Sequence, residues 1–328
     1  MEELIESYGL TKKEYRRLIE DNEHKAKDIS QILKTPEKVY RFRRFGSKNK
    51  DGNWQESPFW EDDVKGICKF SVPSKFNKND SDDCKVYFDK EVILKKYIPD
   101  VLSKYGRITN RKERRAIQSK GKKGLEEYRE TLQTTMKVGC FTAVDYTNKD
   151  MWYDPYFGDS GRGICIEYTV DRDNFNPDEL SFLPVLYDDE HYDNTEAIKA
   201  VIDYAESKRN GINNECAASR MVYQGFGHTL IKHTRFEKEH EWRLVIPIRE
   251  DGAHNHYFNV DRDSKRDMTS AISAIYLGPD FGELAEASKY KAALFAKWNQ
   301  KNDASSRKVP IYQVKNTGEI LTADEISE

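Results

Sequence analysis

The sequence lacks long apolar runs, and it lacks cysteine pairs with the spacing of a zinc clamp or a thiol-exchange motif. No stretch approaches the roughly 18 consecutive apolar residues that a membrane helix needs. The cysteines are scattered along the chain, at Cys68, Cys84, Cys140, Cys165 and Cys216. These absences predict a protein without a membrane segment, a disulfide framework or a cysteine-held metal.

An excess of charge of either sign is also missing. The chain has 54 Lys and Arg against 57 Asp and Glu, so its bulk charge gives no preference for nucleic acid or an anionic membrane. The first residues, Met-Glu-Glu-Leu-Ile-Glu, lack the basic start and apolar run of a signal peptide. We therefore expect a cytoplasmic protein whose charge preferences are local.

What the sequence does contain is enough apolar material for a full core, since 37% of its 328 residues are hydrophobic and 12% are aromatic. Residues 3–34 place apolar side chains at helical spacing amid charge, which predicts an N-terminal helical appendage over residues 1–36. No repeat or low-complexity linker divides the remainder. Residues 37–328 are therefore predicted to form one domain.

Short runs rich in β-branched and aromatic residues predict a central sheet of about six to eight strands. The runs are residues 39–45, 67–72, 138–144, 163–170, 182–187, 242–248, 274–277 and 309–314. Helical spacing predicts a helical insertion at 86–136 and helices at 194–208, 213–234 and 284–298. Because strands and helices do not alternate regularly, the pattern favours an α+β fold over a doubly wound one.

Two short motifs suggest hydrolytic chemistry, and each has a structural alternative. The string Gly158-Asp159-Ser160-Gly161 resembles the nucleophile loop of trypsin-like proteases, but no partner motif for a triad accompanies it, and a Gly-rich turn that introduces a strand is far commoner. The acidic cluster at residues 188–193 would suit a divalent ion, as in a metal-dependent nuclease. The histidines of the chain have no metal-cage spacing, so we expect no metal site.

A basic segment covers residues 107–123 and holds eight Lys or Arg residues against the single acid Glu113. Such a local excess can neutralise the phosphates of RNA or DNA. The candidate contact residues are Arg111, Lys112, Arg114 and Arg115. The alternative is a solvated face of the helical insertion, since basic runs on exposed helices are ordinary.

The most informative stretch is residues 236–246, where alternating glutamates lead into an apolar run. If a strand begins here, Glu239 and Glu241 project to one face and His240 to the other. Two neighbouring carboxylates disfavour each other's ionisation unless a cation lies between them. Such pairs occur at active sites, although solvated strand ends carry glutamates too.

Several motifs then follow one another in a fixed order over residues 40–278. They are Tyr40-Arg41-Phe42, Phe70-Ser71 through Phe76-Asn77, Cys140-Phe141-Thr142, Met151-Trp152 with Tyr156, Glu239-His240-Glu241-Trp242-Arg243, and a closing strand at residues 275–278. In this order the chain resembles a large bacterial family of domains of uncharacterised function. It departs from the family pattern after the Phe-Asn turn, at Lys78 and Asn79, and at Thr142 and Phe236.

The layout of that family is similar to ADP-ribosyltransferases, in which an early strand, a middle aromatic segment and a late-strand glutamate surround NAD. The resemblance implies a split or strongly bent mixed sheet with flanking helices, and NAD as the substrate. It gives Glu241 the role of stabilising an oxocarbenium-like centre, and Glu239 the role of orienting or deprotonating the acceptor. The residues implied to bind NAD are Tyr40, Arg41, Ser71, Phe76, Asn77, Trp152 and Tyr156. Among them, the resemblance implies that Tyr40 and Arg41 hold the adenosine or pyrophosphate part and that Trp152 or Tyr156 stacks on nicotinamide.

By the same resemblance the protein would transfer ADP-ribose to a macromolecule, as a bacterial toxin or phage-defence effector with an antitoxin or chaperone protein as partner. The basic segment favours nucleic acid as the acceptor. The residues leave open a metal-dependent nuclease and a non-catalytic module that binds nucleic acid or protein. For Trp152 and Tyr156 the alternative role is core packing, and for Arg41 it is an ion pair within the sheet.

Overall fold

A computed structural model describes residues 10–20, 33, 35–78, 82–107, 110–134, 136–171, 175, 181–212, 226–247, 265–284, 286–298, 308–318 and 320–327. Over these residues the fold is α+β, as the sequence predicts. Its centre is an open, mixed sheet of eight strands, which agrees with the predicted size.

The strands are defined here in chain order. They are β1 (Lys38–Arg43), β2 (Gly46–Lys48), β3 (Trp54–Glu56), β4 (Ile67–Lys69), β5 (Met136–Thr142), β6 (Ile164–Thr169), β7 (Ser181–Pro184), β8 (Leu186–Tyr187), β9 (Ile231–Lys232), β10 (Glu241–Pro247), β11 (Lys265–Asp267), β12 (Ile272–Leu277), β13 (Ile311–Asn316) and β14 (Leu321–Glu325). The central sheet has the order β14-β13-β12-β6-β1-β5-β10-β7. In it β12 and β13 run parallel, and the other neighbours are antiparallel.

The helices are α1 (Lys12–Glu20), α2 (Trp60–Lys65), α3 (residues 90–104), α4 (Arg111–Thr134), α5 (Lys149–Tyr153), α6 (Thr195–Arg209) and α7 (Ala287–Trp298). Within α3, Ile93–Tyr97 is a π-helical turn. Short 3-10 helices occupy Pro73–Lys78, Gly227–Thr229, Thr234–Glu239 and Phe281–Glu283. Among the described helices, none combines the length and the apolar character needed to cross a bilayer.

Alternation along the strands divides the buried side chains between the two faces of the sheet. Trp242 and Leu244 of β10 lie on one face, in an apolar cluster that side chains of α2 and α7 complete. Val245, which follows Leu244, belongs to a cluster on the other face, together with Tyr15 of α1. Since β10 is covered on both faces, any charged residue within it must find buried partners.

The sheet is split between β1 and β5. These strands pair through Tyr40 and Thr142 alone, whereas β1 pairs with β6 over six residues and β10 pairs with β5 over seven. Further along β5, Ser71 forms an isolated β-bridge with Val138. The segment after β4 therefore lies in the gap between β1 and β5. Backbone polar groups and side chains of β1 and β5 near the split therefore border an opening.

The predicted N-terminal helices are described only over α1. Tyr15 is fully buried, and its hydroxyl donates to the carbonyl of Pro184 at 2.6 Å. Arg16 forms an ion pair with Asp188 at 2.8 Å. The helix α1 thus packs against the body of the protein through an apolar cluster and through an ion pair with the acidic cluster at residues 188–193.

The helical insertion predicted at residues 86–136 contains α3 and α4, which form an apolar cluster with α6. The helix predicted at 213–234 is wrong over its described part. There, Gly227–Thr229 is a single 3-10 turn and Ile231–Lys232 is β9, while residues 213–225 lie outside the described residues. The apolar residues that suggested a helix, Phe226, Leu230 and Ile231, are instead buried in one cluster by a short turn and β9.

Candidate active site

A cleft of about 1140 Å³ lies at the split in the sheet. Its walls come from β1, from β5, from residues 71–76 and from the 3-10 helix Thr234–Glu239. Small-molecule sites usually measure about 300–1,000 Å³, so this cleft is large enough for a dinucleotide.

Most of the predicted site residues line this one cleft. They are Tyr40, Arg41, Ser71, Phe76, Tyr156, Glu239 and Glu241. These residues are far apart in the sequence, and the fold gathers them because β1, β5 and β10 converge where the sheet splits.

Glu239 and Glu241 lie at the buried end of the cleft, but not as two residues of one strand. Glu239 ends a 3-10 helix, and β10 begins only at Glu241. Between them His240 has a left-handed backbone with φ of 41°, an unusual conformation for a residue with a side chain. The expectation that Glu239 and Glu241 alternate along one strand is therefore wrong, although both carboxylates do line the cleft.

Arg243 anchors Glu241 from two residues further along β10. Its Nε donates to Oε1 of Glu241 at 2.8 Å and its Nη2 to Oε2 at 3.0 Å, a two-pronged pair that fixes the carboxylate plane. Arg243 is fully buried and also donates to Oδ2 of Asp83 at 3.0 Å and to the carbonyl of Thr229 at 2.6 Å. Glu241 is thereby held rigidly.

Lys232 of β9 supplies the second cation at the buried end of the cleft. Its Nζ donates to Oε2 of Glu239 at 2.7 Å and to Oε2 of Glu241 at 3.2 Å. Its distance to Oδ2 of Asp83 is 3.8 Å. We call these five residues, Asp83, Lys232, Glu239, Glu241 and Arg243, the cleft cluster.

The two glutamates of the cleft cluster have opposite pKa shifts. Burial by itself raises the pKa of Glu241, but the charges of Arg243 and Lys232 outweigh burial and hold that pKa well below its usual range. Burial raises the pKa of Glu239, and Lys232 offsets this only in part while Glu241 adds to it. One carboxylate is therefore firmly ionised and its neighbour takes up a proton more readily.

The charges of the cleft are separated in space. The cleft cluster holds three carboxylates against two cations, so its buried end has a surplus of negative charge when all five groups are ionised. Two carboxylates of the lining, Glu56 and Asp154, are paired with Lys289 and Lys238. The other charged and aromatic side chains of the outer part are Arg44, Lys75, Arg235, Lys238, Tyr156 and Phe236. We call this outer set the rim. A ligand with a cationic end and an anionic middle would match both parts.

Tyr40 and Arg41 border the cleft from opposite faces of β1. Tyr40 is buried beside Glu167 of β6, its cross-strand neighbour, and burial raises its pKa above the usual range. The guanidinium of Arg41 donates to the sulfur of Cys68 and lies 5.5 Å from the ring centre of Phe141. Across the described ranges no carboxylate pairs with Arg41, so the ion-pair alternative for it is not seen.

The two middle aromatics have different surroundings. Trp152 is fully buried, packs edge-on against Phe42 at 4.9 Å and donates from Nε1 to the carbonyl of Tyr146 at 2.7 Å. It has no exposed face for a ligand, so core packing accounts for it and stacking on nicotinamide does not. Tyr156 is 65% exposed and lines the cleft. The side chain of Asn77 lies outside the described residues.

The basic segment lies away from the cleft. Arg111, Lys112 and Arg115 are exposed near the start of α4, and none of them lines the cleft. Arg107, just before this helix, pairs with Glu206 at 2.8 Å. The side chain of Arg114 is outside the described residues. Any contact these residues make with nucleic acid would therefore lie on a separate surface.

The remaining motifs have structural roles in the described residues. Asp159 and Ser160 have left-handed backbones with φ of 52° and 55°, in the turn that precedes β6, and Asp159 pairs with Arg162. Asp188 pairs with Arg16 of α1, and Asp193 accepts from the backbone of Thr195 at 2.9 Å. Over the described part of the chain, no group of three metal-ligating side chains is arranged to hold an ion.

Sequence reasoning missed three of the five residues in the cleft cluster. Arg243 lies within the Glu-x-Glu-x-Arg motif, so its position two residues after Glu241 could have predicted a pairing on one strand face. Asp83 and Lys232 carry no such signal, because Asp83 lies in a turn and Lys232 in a strand of two residues, and neither element has a sequence pattern of its own.

The family comparison bears on the second half of this site. Residues 151–244 match the family described as protein of unknown function (DUF2971), a stretch that includes Met151-Trp152, Tyr156, Lys232 and the Glu-x-Glu-x-Arg motif. The predicted resemblance to a family of uncharacterised domains is thus confirmed over these residues. No curated protein and no solved structure matches the chain.

Proposed function

We propose that the protein is an NAD-dependent ADP-ribosyltransferase that modifies a macromolecular acceptor. The observation that carries this proposal is the charge pattern of one cleft, with surplus carboxylates at its buried end and basic and aromatic side chains at its rim. NAD has a cationic pyridinium at one end and an anionic pyrophosphate in its middle. It would bind with nicotinamide and the adjoining ribose inward and the pyrophosphate toward the rim.

Glu241 has the properties needed for breaking the nicotinamide–ribose bond. This bond breaks with its electron pair leaving on the nicotinamide nitrogen, which leaves positive charge on the ribose. An ionised carboxylate held in place by Arg243 stabilises that charge without having to reorganise. The low pKa of Glu241 keeps it ionised at neutral pH.

Glu239 suits the second half of the reaction. A hydroxyl or amine of the acceptor would attack the ribose carbon, and its proton would pass to Glu239, whose raised pKa makes it a better base than Glu241. The new bond replaces the bond to nicotinamide, which leaves as a neutral molecule. Two carboxylates with pKa values pushed apart are typical of such divided roles.

The other cleft residues would bind the rest of NAD. In this proposal Tyr40 and Arg41 hold the adenosine or pyrophosphate part and exposed Tyr156 stacks on nicotinamide, as the family resemblance implies. Ser71 and Phe76 also line the NAD site. Arg44 and Arg235 offer planar donors to phosphate at the rim. Trp152 has no place in this arrangement because it is buried.

For the acceptor we propose nucleic acid in preference to protein. The exposed basic residues of α4 would contact a long polyanion outside the cleft. A bacterial toxin or phage-defence role, a cytoplasmic location and an antitoxin or chaperone partner belong to this proposal.

The test is incubation of purified protein with labelled NAD and cell extract, comparing wild type with Glu241→Gln. We expect Glu241→Gln to lower label transfer by at least about 100-fold, the usual effect of removing transition-state charge stabilisation. Glu237→Gln is the matched control, because Glu237 lies on the same 3-10 helix but does not line the cleft. Separate digestion of the product with nuclease and protease would identify the acceptor class.

Binding is tested independently of turnover. NAD should raise the melting temperature of wild type, since a ligand that binds only the folded state stabilises it. Absence of both label transfer and a thermal shift would overturn the proposal. Nucleic-acid cleavage that a chelator stops would instead favour the nuclease, and nucleic-acid binding unaffected by Glu241→Gln would favour the binding module.

A further inference from the structure

We infer that Lys232 is a positioning residue of the proposed reaction, one that keeps Glu239 available as a base while Glu241 stays anionic. This inference rests on the proposed function and deepens it. It is carried by geometry, because the ammonium of Lys232 lies between the two carboxylates, 2.7 Å from Glu239 and 3.2 Å from Glu241. No motif in the sequence marks this lysine.

The fold leaves Lys232 little freedom to move away. Its strand β9 pairs in parallel with β8, where Tyr187 is its partner, and its carbonyl accepts from the backbone of Asp188 at 2.9 Å. The ammonium lies 4.8 Å from the ring centre of Phe236, which covers one side of it. Only 9% of the side chain is exposed. The lysine is thus a fixed part of the site.

Arg243 cannot replace Lys232 as the partner of Glu239. Its guanidinium donors are directed to Glu241, to Asp83, to the carbonyl of Thr229 and to the sulfur of Cys84. Among the described residues, the ion pair that Glu239 forms is the one with Lys232. The two glutamates therefore depend on different cations, and a single substitution can separate them.

Removing the charge of Lys232 should affect Glu239 more than Glu241. Glu239 would then face Glu241 without a cation in contact, and an opposite charge at this distance changes a pKa by about 1–3 units. Glu241 would keep its two-pronged bond to Arg243. The groups that face Glu239 from the packed elements are Lys232, Glu241, Arg243 and Tyr187, and Asp83 lies 3.8 Å from the ammonium of Lys232. Without Lys232, Glu239 would hold its proton to a higher pH and act as a base over a narrower pH range.

The experiment follows the carboxyl carbons of glutamate by ¹³C NMR across pH in wild type and Lys232→Met, with Glu239→Gln to assign the signal. We expect the midpoint of Glu239 to rise by about one pH unit or more in Lys232→Met. Lys238→Met is the matched control. It removes the same charge from the cleft wall, but Lys238 is 50% exposed and pairs with Asp154.

An unchanged midpoint of Glu239 in Lys232→Met, or an equal rise in Lys238→Met, would overturn the inference. If Lys232→Met does not fold, Lys232→Gln removes the charge while keeping hydrogen-bond donors and allows the same comparison. Lys232→Arg keeps the charge and should leave the midpoint near that of wild type.

The activity readout is the pH profile of ADP-ribose transfer. In Lys232→Met we expect the acidic limb to move to higher pH by the shift that NMR measures for Glu239, with KM for NAD little changed. A raised KM with an unmoved pH profile would mean that Lys232 binds NAD, and the positioning role would be wrong. If wild type neither binds nor consumes NAD, the proposed function itself fails, whatever the NMR titration shows.

Discussion

Two buried groups of charges lie on the same face of the sheet, one on each side of its split. On the β10 side is the cleft cluster. On the β6 side Glu167 accepts from Ser273 at 2.6 Å and Tyr276 at 3.1 Å and pairs with Lys38 at 2.7 Å. We call these four residues the Glu167 cluster. Cross-strand pairing through Tyr40 and Thr142 places both groups on the same face.

The difference between the groups is charge balance. The Glu167 cluster has one carboxylate, one cation and two hydroxyl donors, so its carboxylate is satisfied without a ligand, and its pKa is lowered despite burial. The cleft cluster has one carboxylate more than it has cations, and it faces a cleft. A balanced buried carboxylate is explained by structure alone, whereas an unbalanced one next to open space calls for a ligand or a proton.

The largest expected effect is on stability, from removing the central cation of the cleft cluster. Arg243→Met would leave three buried carboxylates with Lys232 alone, and breaking a buried pair in this way costs about 3–5 kcal/mol. Lys38→Met in the Glu167 cluster should cost about 1 kcal/mol or less, because Lys38 is 52% exposed and the hydroxyl donors remain. Urea unfolding of both variants measures the contrast. Equal losses would remove the distinction between the two groups.

A smaller effect, with opposite sign in the two groups, is expected in the pH dependence of stability. Glu239 has a raised pKa in the folded state, so its contribution is present below the unfolded value of about 4.3 and is lost as pH rises through the folded pKa. Glu239→Gln should therefore gain stability relative to wild type between pH 4 and pH 8.

Glu167 should show the reverse. Its pKa is lowered in the folded state, so its contribution is present above about pH 4.3 and is lost as pH falls through the folded pKa. Glu167→Gln should be less stable than wild type at pH 7 and approach it toward pH 3. Unfolding midpoints of both variants across pH check this, and parallel curves would contradict it.

The smallest effect on stability is expected from the exposed charges of α4, which belong to neither group. Replacing Arg111, Lys112 and Arg115 together by alanine should change the unfolding free energy by less than about 0.5 kcal/mol per site. Binding of nucleic acid should weaken, with the salt slope reduced by about one per residue. NAD consumption without an acceptor should not change. A loss of NAD consumption would contradict this prediction and would mean that the α4 charges contribute to the NAD site.

The sequence predicted the strands where apolar alternation was strong. β1, β5, β6, β10 and β12 all coincide with runs of β-branched and aromatic residues. It did not predict β14 or the hairpin of β2 and β3, because their residues are mostly polar and pairing with a neighbour decides their conformation. The prediction of a helix at 213–234 was wrong over its described part for a related reason. Apolar spacing shows which side chains are buried, but a short turn can bury them as well as a helix.

For the site, the sequence named Glu239 and Glu241 because carboxylates at this spacing stand out beside an apolar run. It also named Trp152, whose role the structure limits to the core, since a large aromatic residue looks the same in a core and in a pocket. Lys232 and Asp83 could not be predicted as site residues from the sequence. Each is an ordinary charged residue in the sequence, and only contact with the glutamates distinguishes it.

What the sequence determined by itself is the α+β class, the main strands and the pair of glutamates, because backbone periodicity and local residue chemistry are short-range properties. What only the tertiary structure decided is the split of the sheet, the cleft that it forms and the charge balance of the cleft cluster. Those features depend on which distant segments meet. The Coulomb energy of two charges varies with their separation in space and their burial, and neither can be read from spacing along the chain.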